Sequence, residues 1–168
     1  MQIFGIVGWK NSGKTTLVTA LVREFCARGL RVSTVKHAHH AFDLDRPGKD
    51  SFLHRDAGAQ EVLIASQGRW ALLHELRGTA EPTLGELLKH MSLVDLVLVE
   101  GFKEEKHPKL EVRRRDSSGP PLADTDPHIV AIASDGTITA QSCPVFALDD
   151  VTAIADFIEQ HCGLNDVP

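Results

Sequence analysis

The segment Gly8–Thr15 has the residue types and the spacing that bind phosphate. Its sequence, GWKNSGKT, fits the pattern G-x-x-x-x-G-K-[ST] at every fixed position. The glycines permit turns that point successive backbone N–H groups inward at a phosphate. Lys14 supplies a positive charge for the β- and γ-phosphates, and the Thr15 hydroxyl is a ligand for Mg²⁺. We therefore predict that a nucleotide is bound by Gly8, Trp9, Lys10, Asn11, Ser12, Gly13, Lys14, Thr15 and Thr16.

The elements on either side of this loop strengthen the prediction. Ile3–Val7 is a short apolar run typical of a buried strand, and Thr16–Arg28 has apolar residues at helical spacing. A strand, a glycine loop and a helix in that order place the phosphate at a helix N-terminus, where the dipole and the free amides favour an anion. Residues 31–36 then predict a second strand, parallel to the first.

A second candidate metal ligand follows the most strand-like run in the chain. Asp95–Val99 is apolar on both faces, which favours the centre of a sheet, and Glu100 comes directly after it. Phosphate-loop NTPases need a second Mg²⁺ contact at this position and generally use Asp there. We predict that Thr15 and Glu100 form the Mg²⁺ site, with Glu100 acting directly or through a water. The other interpretation of Glu100 is a solvent-facing residue at a strand end.

The loop after the second strand carries the densest polar cluster in the chain. Asp45 or Asp50 would act on a metal-bound water or orient the attacking one, and these are the candidate catalytic residues. Asp50 could equally cap a short helix. His37, His39 and His40 indicate either a transition-metal site or a polar surface loop.

The rest of the chain alternates strands with helices. We predict a hairpin from Glu61–Ser66 and Arg69–Leu76, then a helix over residues 82–91. Later in the chain we predict an edge strand at Lys109–Arg114 and strands over residues 128–134 and 144–148. A last helix is capped by Asp149 or Asp150 and ended by Gly163. This order predicts an α/β fold of the P-loop NTPase type. Its sheet is doubly wound and largely parallel, with a β-hairpin excursion, in a single domain over residues 1–168.

Composition excludes several other classes of protein. A net charge of −5 argues against a general nucleic-acid or membrane-surface role, and no apolar run is long enough to cross a membrane. The three cysteines are scattered without C-x-x-C spacing, which excludes a disulfide framework and a structural zinc site and predicts a cytoplasmic location. Arg113–Arg115 is either a solvated strand end or an anion-facing patch.

Five segments in combination resemble the MobB family, the adaptor proteins of molybdopterin-guanine dinucleotide biosynthesis. They are GWKNSGKTTL, VKHAHHAFDLDRPGKDSFLHRDAGA, IASQGRWALLHE, LVLVEGFK and VAIASD. The resemblance implies a GTP-binding fold of the SIMIBI division, a homodimer, and slow GTP hydrolysis at most, with GTP and Mg²⁺ as cofactors. It also implies a partner, the MobA-type guanylyltransferase, which joins GMP from GTP to molybdopterin.

The chain departs from the wider pattern at two points. Many SIMIBI proteins carry a Lys directly after the first Gly of the loop, where this chain has Trp9 and places Lys10 one residue later. The guanine-reading sequence N-K-x-D is also absent, so Asp135, at the end of VAIAS, is the candidate that could accept hydrogen bonds from guanine. Its other interpretation is an ordinary strand-to-turn residue. Arg69 and Trp70 either reach an anionic pterin or form a hairpin with a packed indole.

Two alternative functions remain open at this point. The histidine-rich loop would suit a metal-insertion GTPase of the nickel-chaperone type. The phosphate loop would also suit a small-molecule P-loop kinase whose acceptor binds in the loop over residues 37–50.

Overall fold

The structure, a computed structural model, describes residues 1–38, 43–117, 119–138 and 143–164. The chain divides into two compact units, one formed by residues 1–37 with 91–168 and the other by residues 38–90. The single-domain organisation stays a prediction. In chain order, the elements are β1 (Gln2–Val7), α1 (Lys14–Ala27), β2 (Val32–Lys36), α2 (Asp50–Asp56), β3 (Glu61–Ala65), β4 (Trp70–His74), α3 (Leu84–Leu88), β5 (Leu96–Glu100), β6 (Lys109–Arg113), β7 (Ile129–Ser134), β8 (Val145–Ala147) and α4 (Val151–Cys162).

The larger unit is built on a six-stranded sheet in the order β2-β5-β1-β6-β7-β8. All of its strand pairs are parallel, so the predicted α/β fold with a largely parallel sheet is confirmed. Because parallel strands share a direction, the carboxyl ends of β2, β5 and β1 meet at one edge, with Glu100 level with Ile6 and with Lys36. Ligands of such sheets bind at this edge.

The core lies where α1 and α4 pack against the sheet. Phe4 and Ile6 of β1 and Leu98 of β5 are fully buried. They belong to one apolar cluster with residues of α1 and α4 that recur at helical spacing: Leu17, Leu21, Phe25, Ile154 and Ile158. This packing fixes the position of the first turn of α1 relative to β1.

The prediction that residues 109–114 form an edge strand is wrong. Strand β6 lies between β1 and β7, and its first four residues are buried. Its two buried charged residues, Lys109 and Glu111, have internal partners. Lys109 Nζ lies 2.5 Å from Asp126 Oδ2, and the Glu111 carboxylate accepts hydrogen bonds from the backbone of Leu122 and Ala123. A buried charge is tolerated when it is paired in this way.

The helix ends follow the predicted residues only in part. Asp150 caps α4 by accepting from Ala153 N at 3.1 Å, and Gly163 ends that helix at a φ of 64°, as predicted. The cap expected from Asp50 is wrong. Lys49 is the extended N-cap residue of α2 and makes no side-chain cap, so Asp50 lies one residue inside the helix. There its charge suits the helix dipole without closing the end.

The unit over residues 38–90 contains α2, the hairpin and α3. Strands β3 and β4 pair antiparallel as a separate two-stranded sheet, so the hairpin excursion is confirmed. Helix α3 begins with a capping box between Thr83 and Glu86 and is shorter than predicted. Trp70 is 65% exposed, so the interpretation of a packed indole is wrong.

A buried histidine precedes β6 in the larger unit. His107 packs on Gly5, where a Cβ would lie 2.5 Å from His107 Nε2. Within the described part of the chain, neither ring nitrogen has a hydrogen-bond partner. Burial, assisted by the charge of Lys109, lowers the pKa of His107 to about 4, although Glu105 and Asp126 oppose the shift.

We expect this histidine to make the fold sensitive to acid. The unfolded chain, with an ordinary histidine pKa of about 6.5, binds the proton first as the pH falls. Stability is therefore complete above about pH 6.5 and is lost toward pH 4, by about 3 kcal/mol. Urea unfolding of wild type and His107→Leu at pH 7 and pH 4.5 measures the difference.

The variant should show a clearly smaller loss of stability between the two pH values. The exposed His90 provides the matched control, because His90→Leu should behave as wild type does. An equal pH dependence in wild type and His107→Leu would contradict the assignment.

Candidate phosphate-binding site

The loop between β1 and α1 has the backbone conformation that its glycines were expected to allow. Gly8 and Gly13 have φ values of 148° and 99°, and Asn11, a residue with a Cβ, has a φ of 62°. A Cβ on Gly8 would lie 2.4 Å from the Val112 carbonyl oxygen. The loop therefore fits against β6 only with glycine at its first position.

The loop leaves the first turn of α1 open toward solvent. Gly13 is the N-cap residue, no side chain of the described residues caps the helix, and no acidic residue lies in its first turn. The Ser12 side chain is buried, and its hydroxyl has no hydrogen-bond partner among the described residues. Open amides, a positive helix end and an unsatisfied hydroxyl are the features of an anion site.

Lys14 turns back onto its own loop. Its Nζ donates to the Trp9 carbonyl oxygen at 2.7 Å. Burial lowers the pKa of Lys14, and the nearby Lys103 and Lys36 lower it further, against the opposing effect of Glu100. An ammonium group that is partly desolvated and surrounded by other cations gains strongly from an anionic partner.

Thr15 and Glu100 lie together, as the prediction of a metal site requires. The Thr15 hydroxyl donates to Glu100 Oε1 at 2.8 Å. Adjacent ligands of an octahedral ion with bonds of about 2.0 to 2.1 Å are about 2.8 to 3.0 Å apart, so this pair of oxygens has the spacing and the hardness that suit Mg²⁺. Lys36 Nζ lies 3.3 Å from Thr15 Oγ1 and 3.3 Å from Glu100 Oε1.

Trp9 uses its side chain to anchor a neighbouring loop. Its Nε1 donates to the Pro120 carbonyl oxygen at 2.8 Å, and Lys103 Nζ lies 4.2 Å from the centroid of the ring system. Gly119 packs so closely on the indole that a Cβ there would lie 2.2 Å from it. The Trp9 contribution to a phosphate would therefore come from its backbone. Lys10 is exposed.

Arg114 connects the loop to the candidate guanine reader. Its Nε donates to the Ser12 carbonyl oxygen at 3.2 Å, and its Nη1 lies 3.6 Å from Asp135 Oδ2. Asp135 also accepts from the backbone of Arg115 at 2.7 Å. Arg114 therefore has internal partners at the site, and the two interpretations of Arg113–Arg115 stay open. Asp135 has one well-bonded oxygen and retains acceptor capacity on the other.

A cavity of about 800 Å³ opens beside the first turns of α1. Its lining includes Gly13 and Thr16 from the loop and the helix, Arg114 and Asp135 from the strand ends, and Phe146 from β8. This volume lies within the range of small-molecule sites. The cavity adjoins the open helix end, so one ligand could occupy both.

The candidate residues of the 38–90 unit have other surroundings. Asp45 accepts from Arg55 Nη2 at 2.5 Å, and this hydrogen bond lowers the pKa of Asp45 against the effect of burial. Arg55 also pairs with Glu75 at 2.7 Å. Asp50 is exposed in the first turn of α2. The catalytic roles of both aspartates stay predictions.

The histidine-rich loop is described only in part. His37 stacks on Phe102 with ring centroids 4.7 Å apart. His39 and His40 lie outside the described residues. Over residues 1–38, 43–117, 119–138 and 143–164, no three His, Cys, Asp or Glu side chains are grouped closely enough to hold a metal ion.

Sequence reasoning missed Lys36 and did not decide between the two interpretations of Arg114. Lys36 ends β2 in register with Glu100. The last residues of neighbouring parallel strands lie side by side, so the sequence positions of Lys36 and Glu100 at two strand ends are informative. Lys36 can be placed next to Glu100, however, only when β2 is known to neighbour β5. Arg114 could have been selected from the three arginines only by knowing that β6 neighbours β1.

None of the helices in the described ranges combines the length and the apolar character that a membrane crossing needs.

Comparison with known proteins gives one consistent result. Residues 3–135 match the family described as MobB, molybdopterin guanine dinucleotide synthesis protein B. The chain is 41% identical over 162 residues to a molybdopterin-guanine dinucleotide biosynthesis adapter protein of Escherichia coli, covering 94% of this chain and 91% of that protein. The protein of the same description from Haemophilus influenzae is 38% identical, covering 95% and 88% of the two chains.

Solved structures agree with the sequence relatives. A crystal structure of molybdopterin-guanine biosynthesis protein B superposes with a TM-score of 0.74 at 28% identity, covering 95% of this chain and 99% of that one. A MobB homologue from Bacillus stearothermophilus gives 0.70 at 26% identity, covering 98% and 99%. The matched segment includes the phosphate loop, Glu100 and Asp135, and on these grounds the chain belongs to the MobB family.

Proposed function

We propose that this protein is a GTP-binding adaptor in molybdopterin-guanine dinucleotide biosynthesis. One observation carries the nucleotide part of the proposal: the first turn of α1 is open behind a glycine loop. Beside it lie Lys14 and the buried Ser12 hydroxyl, which has no hydrogen-bond partner in the described part of the chain. Family membership carries the adaptor part.

Different residues at the sheet edge would bind the phosphates, the Mg²⁺ ion and the base. The amides of residues 13–16 and Lys14 would hold the β- and γ-phosphates, as their open geometry and the helix dipole favour. Thr15 and Glu100 would hold Mg²⁺, which when bound neutralises phosphate charge. The cavity beside Asp135 would take the base, and the acceptor oxygens of Asp135 suit the donors of guanine.

Binding, more than turnover, is the proposed activity. Asp45 is engaged by Arg55, and Asp50 is a solvent-exposed residue of a helix turn. These surroundings favour slow hydrolysis at most. The proposed partners are a MobA-type guanylyltransferase and its molybdopterin substrate, as the family resemblance implies. The names of the relatives support an adapter role in the same biosynthesis. No observation on the described residues favours the nickel-chaperone or kinase alternatives over this one.

Lys14→Ala should weaken GTP binding strongly without unfolding the protein. The lost group bonds to a loop carbonyl in the free protein, so the variant loses a ligand contact and no core packing. Loss of a charged contact predicts binding weaker by about a hundredfold in calorimetry with GTP and Mg²⁺. ATP, titrated in parallel, should bind wild type more weakly than GTP.

Lys106→Ala, which removes an exposed lysine elsewhere in the unit, is the matched control and should bind as wild type does. An unchanged dissociation constant in Lys14→Ala would refute the proposed site.

Glu100→Gln should weaken binding mainly when Mg²⁺ is present. The substitution keeps the shape but removes the negative charge that a divalent ion requires. We expect the GTP dissociation constant to rise about tenfold in Mg²⁺ and much less in EDTA. Glu104→Gln, at an exposed position four residues later, should change neither value. Equal losses in the two buffers would remove Glu100 from the metal site.

We further propose that the hairpin forms the homodimer contact. Leu63 pairs with Leu72, and Ala65 pairs with Trp70, so these four apolar residues share one face. Leu63, Leu72 and Trp70 are 62%, 40% and 65% exposed. A two-stranded sheet is marginally stable alone, and an exposed apolar face of this kind commonly marks a protein contact.

The double variant Leu63→Asp/Leu72→Asp should therefore be monomeric in light scattering at concentrations where wild type is a dimer. Leu93→Asp, at a leucine that is 77% exposed in the other unit, should stay dimeric. A monomeric wild type, or a double variant that remains a dimer, would exclude the hairpin as the contact.

A further inference from the structure

Lys36 occupies an unusual position at the edge of the sheet. It is the last residue of β2, level with Glu100 in the parallel pairing of β2 and β5. Its Nζ lies 3.3 Å from both Thr15 Oγ1 and Glu100 Oε1. The ammonium group therefore faces the same two oxygens that we propose as ligands of Mg²⁺.

The two side chains of this contact differ in their exposure to solvent. The Glu100 side chain is 11% exposed, whereas that of Lys36 is 58% exposed. A carboxylate with so little access to water needs a cation nearby, and Lys36 supplies one in the free protein. The lysine, on a flexible and largely solvated stem, can leave without disturbing the core.

The distances also show that the contact is weaker than an optimal one. Thr15 Oγ1 and Glu100 Oε1 are 2.8 Å apart, a normal hydrogen bond, while the ammonium lies 3.3 Å from each. A monovalent, exposed cation at such a distance contributes modest energy. A divalent ion bound directly to both oxygens would compete successfully.

We propose that Lys36 is a displaceable counterion of the Thr15–Glu100 pair. In the free protein it neutralises Glu100 and keeps the two oxygens together. When the metal and nucleotide bind, it gives up Glu100 and turns toward solvent. This inference rests on the proposed function and adds a residue that sets how strongly nucleotide affinity depends on the metal.

The measurement is a ratio, the dissociation constant for GTP in EDTA divided by that in excess Mg²⁺, from calorimetry on the full chain. Lys36→Met removes the competitor of the metal, and it also removes the cation that could assist the phosphates when no metal is present. Both effects raise the ratio. We expect a rise of about fivefold, equivalent to ~1 kcal/mol, the upper range for an exposed ion pair.

Two control variants separate the loss of positive charge at position 36 from other effects of substituting a lysine. Lys36→Arg keeps the cation and should give a ratio close to that of wild type. Lys106→Met removes a lysine that lines the cavity formed with Gln2 and Gln160, away from the loop, and should leave the ratio unchanged. Circular dichroism checks that each variant is folded.

The outcomes separate this inference from the function on which it rests. A wild type that binds no GTP, or binds it equally with and without Mg²⁺, would overturn the proposed function and this inference together. If GTP binding by wild type depends on Mg²⁺, but the ratio for Lys36→Met is equal to or lower than that of wild type, the role of Lys36 alone is overturned.

Discussion

The positive end of α1 is the constraint on which the rest of the site depends. A helix N-terminus normally has its first amides capped by a side chain, but here Gly13 occupies that position and offers none. The glycine loop tolerates this arrangement because Gly8 packs against the Val112 carbonyl and Ser12 is buried beneath the turn. The open end therefore lies against β1 and β6, next to the core face of α1.

Strand order brings charge to that end from both sides. Glu100 and Lys36 arrive from β5 and β2, and Arg114 arrives directly after β6. Each residue follows or ends a strand of the parallel sheet, so its position is set by the register of the sheet. A parallel sheet thus converts residues distant in sequence into one site without a long loop to position them.

Some features of the fold and of the site can be predicted from the sequence, and others cannot. The phosphate loop, the pairing of Thr15 with Glu100, the hairpin and the cap of α4 were predictable, because each depends on local spacing or on a strand end next to a known motif. The interior position of β6 was not, because its charged residues are satisfied by the irregular segment between β6 and β7, whose path over the strand is not given by local patterns. Lys36 was hidden for a related reason, since neighbouring strands cannot be identified from local patterns.

A crystal structure with Mg²⁺ and a non-hydrolysable GTP analogue would test the central claim most directly. We predict phosphate oxygens within about 3 Å of the amides of residues 13–16, with Lys14 Nζ moved from the Trp9 carbonyl to the phosphates. A polyphosphate bound elsewhere on the protein, or a Lys14 that remains on the Trp9 carbonyl while the nucleotide is bound, would contradict the account.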